Sequence, residues 1–199
     1  QKIYERIKAF FQTKRNFTGK KVLITAGPTY EAIDPVRFIG NHSSGLMGIE
    51  IARAFADQGA DVTLVLGPSN ISPNRNNIKL LPVTSAKEMY DAVMTFFPKT
   101  DIAVLSAAVA DFRPEMAADQ KIKKNPDNDT LTLKLVKTDD ILKSVGSKKT
   151  DNQVVVGFAL ETENGMDNAK KKLHTKNIDL IVLNEMNESG VGFKTKTNK

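Results

Sequence analysis

The chain has 199 residues, 40% hydrophobic and 26% charged, which suits one globular domain with a core of its own. It has no cysteine, so disulfide frameworks, thiolate metal sites and cysteine nucleophiles are excluded, and no apolar run approaches the length of a membrane span. The net charge of +6 is unevenly spread: residues 1–21 hold seven basic residues against Glu5, residues 170–199 hold seven lysines against three acids, and the stretch between is net acidic. A duplex-binding domain carries its basic stripe on the folded body, so nucleic acid is disfavoured as a partner. No long apolar segment opens the chain, and a cytoplasmic enzyme or binding domain is expected.

Gln1 to Arg15 reads as a short helix with Ile3 and Ile7 on one face, broken at Asn16–Gly19. Residues 1–18 are expected to be a linker or helical arm, and 19–199 a single domain. Lys21 to Ala26 is a buried strand closed by Gly27-Pro28, and Thr29 to Asn41 a charged loop. Gly45 to Gly59 is a helix with Leu46, Ile49, Ala52, Phe55 and Ala56 on one stripe. Val62 to Leu66 is a second strand, and Ser85 to Phe97 a helix with Glu88 at the capping-box spacing. Asp101 to Ala107 is a third buried strand, followed by an aperiodic segment containing Lys121-Ile122-Lys123-Lys124. Strict alternation over Thr130 to Val136 predicts a half-exposed strand. Helices at Asp139–Val145 and Glu161–Thr175 alternate with strands at Val154–Ala159 and Ile178–Asn184, with a tail after Glu188. Strands separated by helices of this length make an α/β, Rossmann-like, doubly wound and mostly parallel sheet with helices on both faces, plus a flap.

In such a sheet ligands bind beyond the carboxyl ends of the strands, where the strand order reverses. The polar residues there are Thr29, Asp34, Arg37 and Asn41-His42-Ser43-Ser44-Gly45 after the first strand, and Ser106 to Asp111 after the third. Phe158, Glu161 and Asn184 follow the later strands. Hydroxyls and a glycine at a helix start suit an anion, though Ser43 or Ser44 equally suits a plain helix cap. Arg37 is a bidentate fork for the same anion or an ordinary surface arginine. The lysine run at 121–124 is a solvated face or a flap over a triphosphate. Glu161 and Glu163 read as first-turn acids. The nicotinamide fingerprint is absent, since thirteen residues separate Gly27 from Asn41 and the second strand ends in Gly67-Pro68 without an acid. No Walker motif appears.

Taken together, Ala26-Gly27-Pro28-Thr29-Tyr30-Glu31, Asp34-Pro35-Val36-Arg37, Asn41-His42-Ser43-Ser44-Gly45 and Ala107-Ala108-Val109-Ala110-Asp111-Phe112 closely resemble the phosphopantothenoylcysteine synthetase (phosphopantothenate–cysteine ligase) family of coenzyme A biosynthesis. Lys121-Ile122-Lys123-Lys124, Val156-Gly157-Phe158-Ala159 with Glu161-Thr162, and Asn184 continue the match. The resemblance implies a CTP-dependent ligase of the bacterial type that joins 4′-phosphopantothenate to L-cysteine through an acyl-cytidylate, with magnesium on the triphosphate. It also implies a homodimer and no flavin in this chain. A phosphopantothenoylcysteine decarboxylase half is often fused N-terminally in the family, and residues 1–18 would be its remnant linker.

By the same resemblance Asn41, Lys121 and Arg37 are the catalytic residues, and Asn41, Ala107 and Ala108 line the acyl pocket. Ser43, Ser106, Ala107, Asp111, Lys121, Asp139, Asp140, Ile141, Leu142, Phe158, Lys172 and Lys176 would hold the nucleotide, with Asp111 near the metal. Read alone, Lys172 and Lys176 are solvated lysines one turn apart. The sequence departs from the family at Leu46, where lysine is common. It also ends at Lys199, where further strand structure is expected. A nucleotide-binding regulatory domain without turnover and an NAD-dependent oxidoreductase are the competing readings.

Overall fold

In the computed structural model the described residues are 16–124, 130–161 and 163–185. The helix expected over 1–15 and the tail expected after 188 lie outside them. β1 (Lys21–Ala26) is buried from Val22 onward and lies between two parallel neighbours, β4 (Asp61–Leu66) and β6 (Ile102–Leu105). A strand covered on both faces needs apolar residues at successive positions. Val22, Ile24 and Ala26 accordingly pack against Ile49, Ala52 and Ala56 of α1 (Leu46–Asp57). Leu23 faces the other way, toward Met89 and Val93 of α2 (Ala86–Phe96) and Val145 of α3 (Ile141–Lys148).

β5 (Ile78–Pro82) closes one edge of the sheet, and β9 (Val154–Glu161) and β10 (Leu180–Glu185) extend the other, with α4 (Gly165–Thr175) between them in the chain. All five pairings are parallel, in the order β10-β9-β6-β1-β4-β5. The chain winds outward from β1 to β5, returns to β6 on the opposite side of β1, and winds outward again to β10. That is the doubly wound Rossmann-like order, and its reversal opens a crevice between β1 and β6.

Three segments differ from expectation. The loop read over 29–41 contains an antiparallel hairpin of β2 (Tyr30–Ala32) and β3 (Phe38–Gly40), with Tyr30 stacked on Phe38 at 3.9 Å between ring centroids. Its turn is made by Asp34, whose Oδ1 accepts from the backbone N–H of Val36 and Arg37 at 2.9 Å each, so polar residues that read as loop close a turn. β5 went unread because only Ile78 of its five residues is buried. The strand expected over 130–136 is reduced to β8 (Leu135–Lys137), paired with β7 (Phe112–Pro114). The alternation is real, but Leu131 and Leu135 remain 53% and 43% exposed, so no core among the described residues holds the register earlier.

Two further boundaries move. Glu161 ends β9, and α4 begins only at Gly165, so Glu161 is a strand residue and not a first-turn acid. The α1 start is capped by Gly45 in the left-handed conformation (φ 77°), with neither serine as its side-chain cap. Ser43 Oγ accepts from the Gly45 N–H at 3.2 Å and Ser44 Oγ from the Leu46 N–H at 3.3 Å, so the hydroxyls shape the approach to the helix.

The loops after β1 and β4 pack backbone to backbone at the crevice, and a Cβ on Gly67 would overlap the Pro28 carbonyl oxygen. Gly67→Ala should therefore destabilise the fold by about 3 kcal/mol or more, because the obstacle is main chain rather than a movable side chain. Urea denaturation monitored by far-UV circular dichroism measures this, with an unchanged m-value expected.

Candidate active site

The crevice is built by main chain first. The Ala108 N–H donates to Gly27 O at 2.9 Å, and Pro28 bridges Ala108 in parallel register, so the β1–β2 and β6–β7 loops run together beyond the sheet. Two buried threonines stitch them: Thr25 Oγ1 accepts from the Ala107 N–H at 3.3 Å, and Thr29 Oγ1 from the Ala110 N–H at 2.9 Å. Ser106 Oγ donates to Thr25 O at 2.7 Å. Asn41 Nδ2 donates to Val109 O at 2.9 Å, which fastens the stretch before α1 to the same loop.

A cavity of about 540 Å³ opens on the β6 and β9 side of this crevice. Of the residues expected to hold the nucleotide, Ala107, Asp111, Asp139, Asp140, Ile141, Leu142, Phe158, Lys172 and Lys176 line it. Asn41, Arg37, Ser43, Ser106, Ala108 and Lys121 are not in its lining. Ser106 and Ala108 sit in the adjoining loop, and Ser43 precedes α1. Lys121 is exposed, and Arg37 lies at the β2–β3 turn.

Neither Lys172 of α4 nor Lys176, the residue just past its end, is freely solvated. Lys172 Nζ donates to Phe158 O at 2.8 Å, and Lys176 forms an ion pair with Asp140. Burial holds the Lys172 ammonium below the ordinary lysine value, with Glu161 opposing the shift and Lys176 adding to it. Asp140 has two tasks. Its Oδ1 caps α3 by accepting from the Lys143 N–H at 2.8 Å, while Oδ2 meets Lys176. Burial alone would raise its pKa; the Lys176 pair, the Lys143 N–H and the nearby Lys172 charge together bring it below the usual value.

Arg37 is not a free fork. Its Nε and Nη2 donate to Asp34 Oδ2, the former at 3.0 Å, and Nη2 also donates to Ile122 O at 2.9 Å. The Asp34 side chain is fully shielded, whereas that of Arg37 is 42% exposed. The Arg37 guanidinium, with N–H donors from Val36, Ile122 and Arg37 against a cost of burial, holds the Asp34 carboxyl far below the usual carboxylate range. Glu31 is buried as well and accepts from the Ala86 N–H at 2.8 Å, which anchors the hairpin to the start of α2. Asn184 falls inside β10, its carboxamide oxygen shielded and without a partner among the described residues.

The sequence reading missed Lys137 and Thr138, which also line the cavity. Thr138 Oγ1 donates to Ala110 O at 2.6 Å and so positions Asp139 and Asp140; their place directly after a strand was the available signal. Among the described residues no group of three or more His, Cys, Asp or Glu is gathered for a metal ion, and no helix is long and apolar enough to cross a membrane.

A family model described as the C-terminal domain of DNA/pantothenate metabolism flavoproteins matches residues 17–199. The chain belongs to this family. The coenzyme A biosynthesis bifunctional protein CoaBC of Vibrio cholerae is 47% identical over 188 residues, 94% of this chain and 47% of that protein. A cysteine/cysteine sulfinic acid decarboxylase from an unknown prokaryotic organism is 46% identical over 203 residues, 100% of this chain and 56% of that protein. The chain thus spans about half the length of these curated relatives. The crystal structure of the C-terminal domain of CoaBC matches with a TM-score of 0.76 at 41% identity, covering 88% of this chain and 81% of that one. The relationship read from the motifs is borne out, as is the Rossmann-like fold, and the cavity of this family member lies at its reversal of strand order.

Because Arg37 lowers the Asp34 pKa, native Asp34 binds a proton less readily than the unfolded chain, whose value is near 3.8. The stability it contributes is complete above that value and is lost as pH falls toward the native one. Asp34→Asn should therefore be less stable than wild type at neutral pH, and the gap should narrow below about pH 4. Urea midpoints measured across the acid range give the comparison.

Proposed function

We propose that the protein is a CTP-dependent phosphopantothenate–cysteine ligase, acting in the cytoplasm as a homodimer. The observation that carries the reading is the cavity at the β1/β6 crevice, lined by Lys137, Lys172 and Lys176 beside Asp111, Asp139 and Asp140, in a chain of this family. A site of this kind stabilises anions by position and charge, which is what acyl-phosphate chemistry requires. A carboxylate oxygen of 4′-phosphopantothenate attacks the α-phosphorus of CTP; the bond to the bridging oxygen breaks and pyrophosphate leaves. The cysteine amine then attacks the acyl carbon, gives up a proton, and displaces CMP. Neither step needs a side-chain nucleophile, and the chain has no cysteine to offer one.

Phe158, Asp139, Asp140, Ile141 and Leu142 bound the space assigned to the nucleoside, with the Lys172 and Lys176 ammonium groups at its wall. Ala107 and Ala108 leave room for the acyl group beside Ser106, and Ser43 serves the approach to α1. Asn41 already donates its amide hydrogens to Val109 O and, at 3.4 Å, to Ala108 O. Its carboxamide oxygen is thereby presented as an acceptor, suited to an N–H of the incoming amine. Lys121 stands outside the cavity and reaches the phosphates from the loop, where its charge offsets the one that develops as pyrophosphate departs.

Magnesium requires one or two carboxylates and takes its remaining ligands from phosphate and water. Asp111, with Asp139 and Asp140 on the same wall, fits that modest demand. Bound there with the triphosphate, the ion would neutralise charge on the leaving group. The exposed Val36, Phe38, Phe112 and Met116 of the two small hairpins support the dimer, as a surface that a second copy would cover. A phosphopantothenoylcysteine decarboxylase domain, fused or associated, would receive the product.

The ligase should release pyrophosphate from CTP and phosphopantothenate without cysteine; the absence of such release would sink the reading. Asn41→Ala and Lys121→Ala should each lose about 100-fold or more in rate, since both act on developing charge or orientation. Neither should move the melting temperature appreciably, because both side chains are exposed. Thermal shifts with CTP, ATP, UTP and NADH measure the choice of nucleotide.

A further inference from the structure

Ile122 lies in irregular chain, yet its backbone is held at both ends. Its N–H donates to Asp34 Oδ2 at 3.1 Å, and its carbonyl accepts from Arg37 Nη2 at 2.9 Å. Backbone groups held at N–H and C=O together are the mark of paired strands, but here the partner is a side-chain ion pair. A second tie, from the Ala118 N–H to Ile33 O at 2.9 Å, fastens the same segment to the same hairpin.

The two oxygens of Asp34 divide the work. Oδ1 makes the β2–β3 turn through Val36 and Arg37. An asparagine would serve that turn equally well with its carbonyl oxygen. Oδ2 adds nothing to the turn's backbone bonding; it receives Arg37 Nε and Nη2 and the Ile122 N–H. A carboxylate rather than a carboxamide is required only by this second face, where every neighbour is a donor. A fully shielded charge that a neutral residue could replace in the turn is costly to retain. Its distinguishing product is the fixed position of Ile122, between the exposed Lys121 and Lys123.

We propose that Asp34 is a positioning residue for Lys121: with Arg37 it clasps Ile122 and so fixes where the lysine run leaves the body and which way it reaches. The role assigned to Lys121 rests on the ligase reading above; the clasp itself does not. It follows that Arg37 acts here by holding the loop rather than by gripping a phosphate.

The test uses Asp34→Asn in the full chain, because this change keeps the turn acceptor and removes only the clasp. Arg37→Lys is the second variant, keeping the charge opposite Asp34 while losing the fork that reaches Ile122 O. Limited trypsin digestion under native conditions should cut after Lys121, Lys123 or Lys124 about tenfold faster in both variants, the loss of one charge-assisted bond. Unchanged cutting there would overturn the clasp.

In pyrophosphate release, Asp34→Asn should lower kcat about tenfold with little change in the KM for CTP. That loss should vanish when Lys121 is already alanine, so the double variant matches Lys121→Ala to within about twofold. Multiplying losses, or a raised KM at unchanged kcat, would overturn the link to Lys121. If the wild-type chain releases no pyrophosphate, the ligase reading falls while the digestion still decides the clasp.

Discussion

β1 is held in parallel register by β4 on one side and β6 on the other, from Lys21 beside Asp61 to Thr25 beside Leu105. Its neighbours on the two sides belong to opposite windings of the chain, so no helix can cross the carboxyl ends of β1 and β6. The loops that emerge there meet each other instead. The Gly27–Ala108 hydrogen bond and the bonds to the Thr25 and Thr29 hydroxyls depend on that side-by-side exit. The cavity is then the space that this edge leaves between β6, β9, the start of α3 and the end of α4.

Electrostatics at this edge is economical. Lys176 is balanced by Asp140, which also caps α3, and Arg37 by Asp34, which also makes a turn. Each carboxylate uses one oxygen for local backbone and the other for a cation, the Arg37 guanidinium three residues on for Asp34 and the Lys176 ammonium of a separate element for Asp140. Lys172 is the exception: it is pushed toward neutrality by burial and satisfied by a carbonyl rather than an acid. A lysine placed so carries a charge that burial disfavours, and any anion brought beside it would offset that cost.

The strands that carry the sheet were legible because they are short runs dominated by apolar and β-branched residues, at 21–26, 62–66 and 154–159, each bounded by turn residues or a helical period. The α2 capping box was legible for a related reason, since Ser85 and Glu88 satisfy donors within one turn and the spacing is fixed by the helix. The small hairpins were not. β2, β3, β7 and β8 are three residues each, and their registers depend on Asp34, Glu31 and one another rather than on periodicity. The candidate site divides along the same line. Motifs pointed to the cavity wall at 139–142, Phe158, Lys172 and Lys176, but Lys137 and Thr138 belong to it only because β8 turns back beside β7. The partnership of Arg37 with Ile122 joins residues 85 positions apart, and nothing local encodes it.

The acids at the helix starts have a consequence for the field over this edge. Glu31 and Glu88 meet the first turn of α2, Asp140 caps α3, and Asp167 lies in the first turn of α4. Among the described α-helices α1 alone has neither an acidic cap nor an acid in its first turn. The positive pole of every other helix is quenched by the chain's own carboxylates. The helix pole left unquenched is therefore that of α1 alone, which begins where Gly45 packs against Gly27 of the β1 loop.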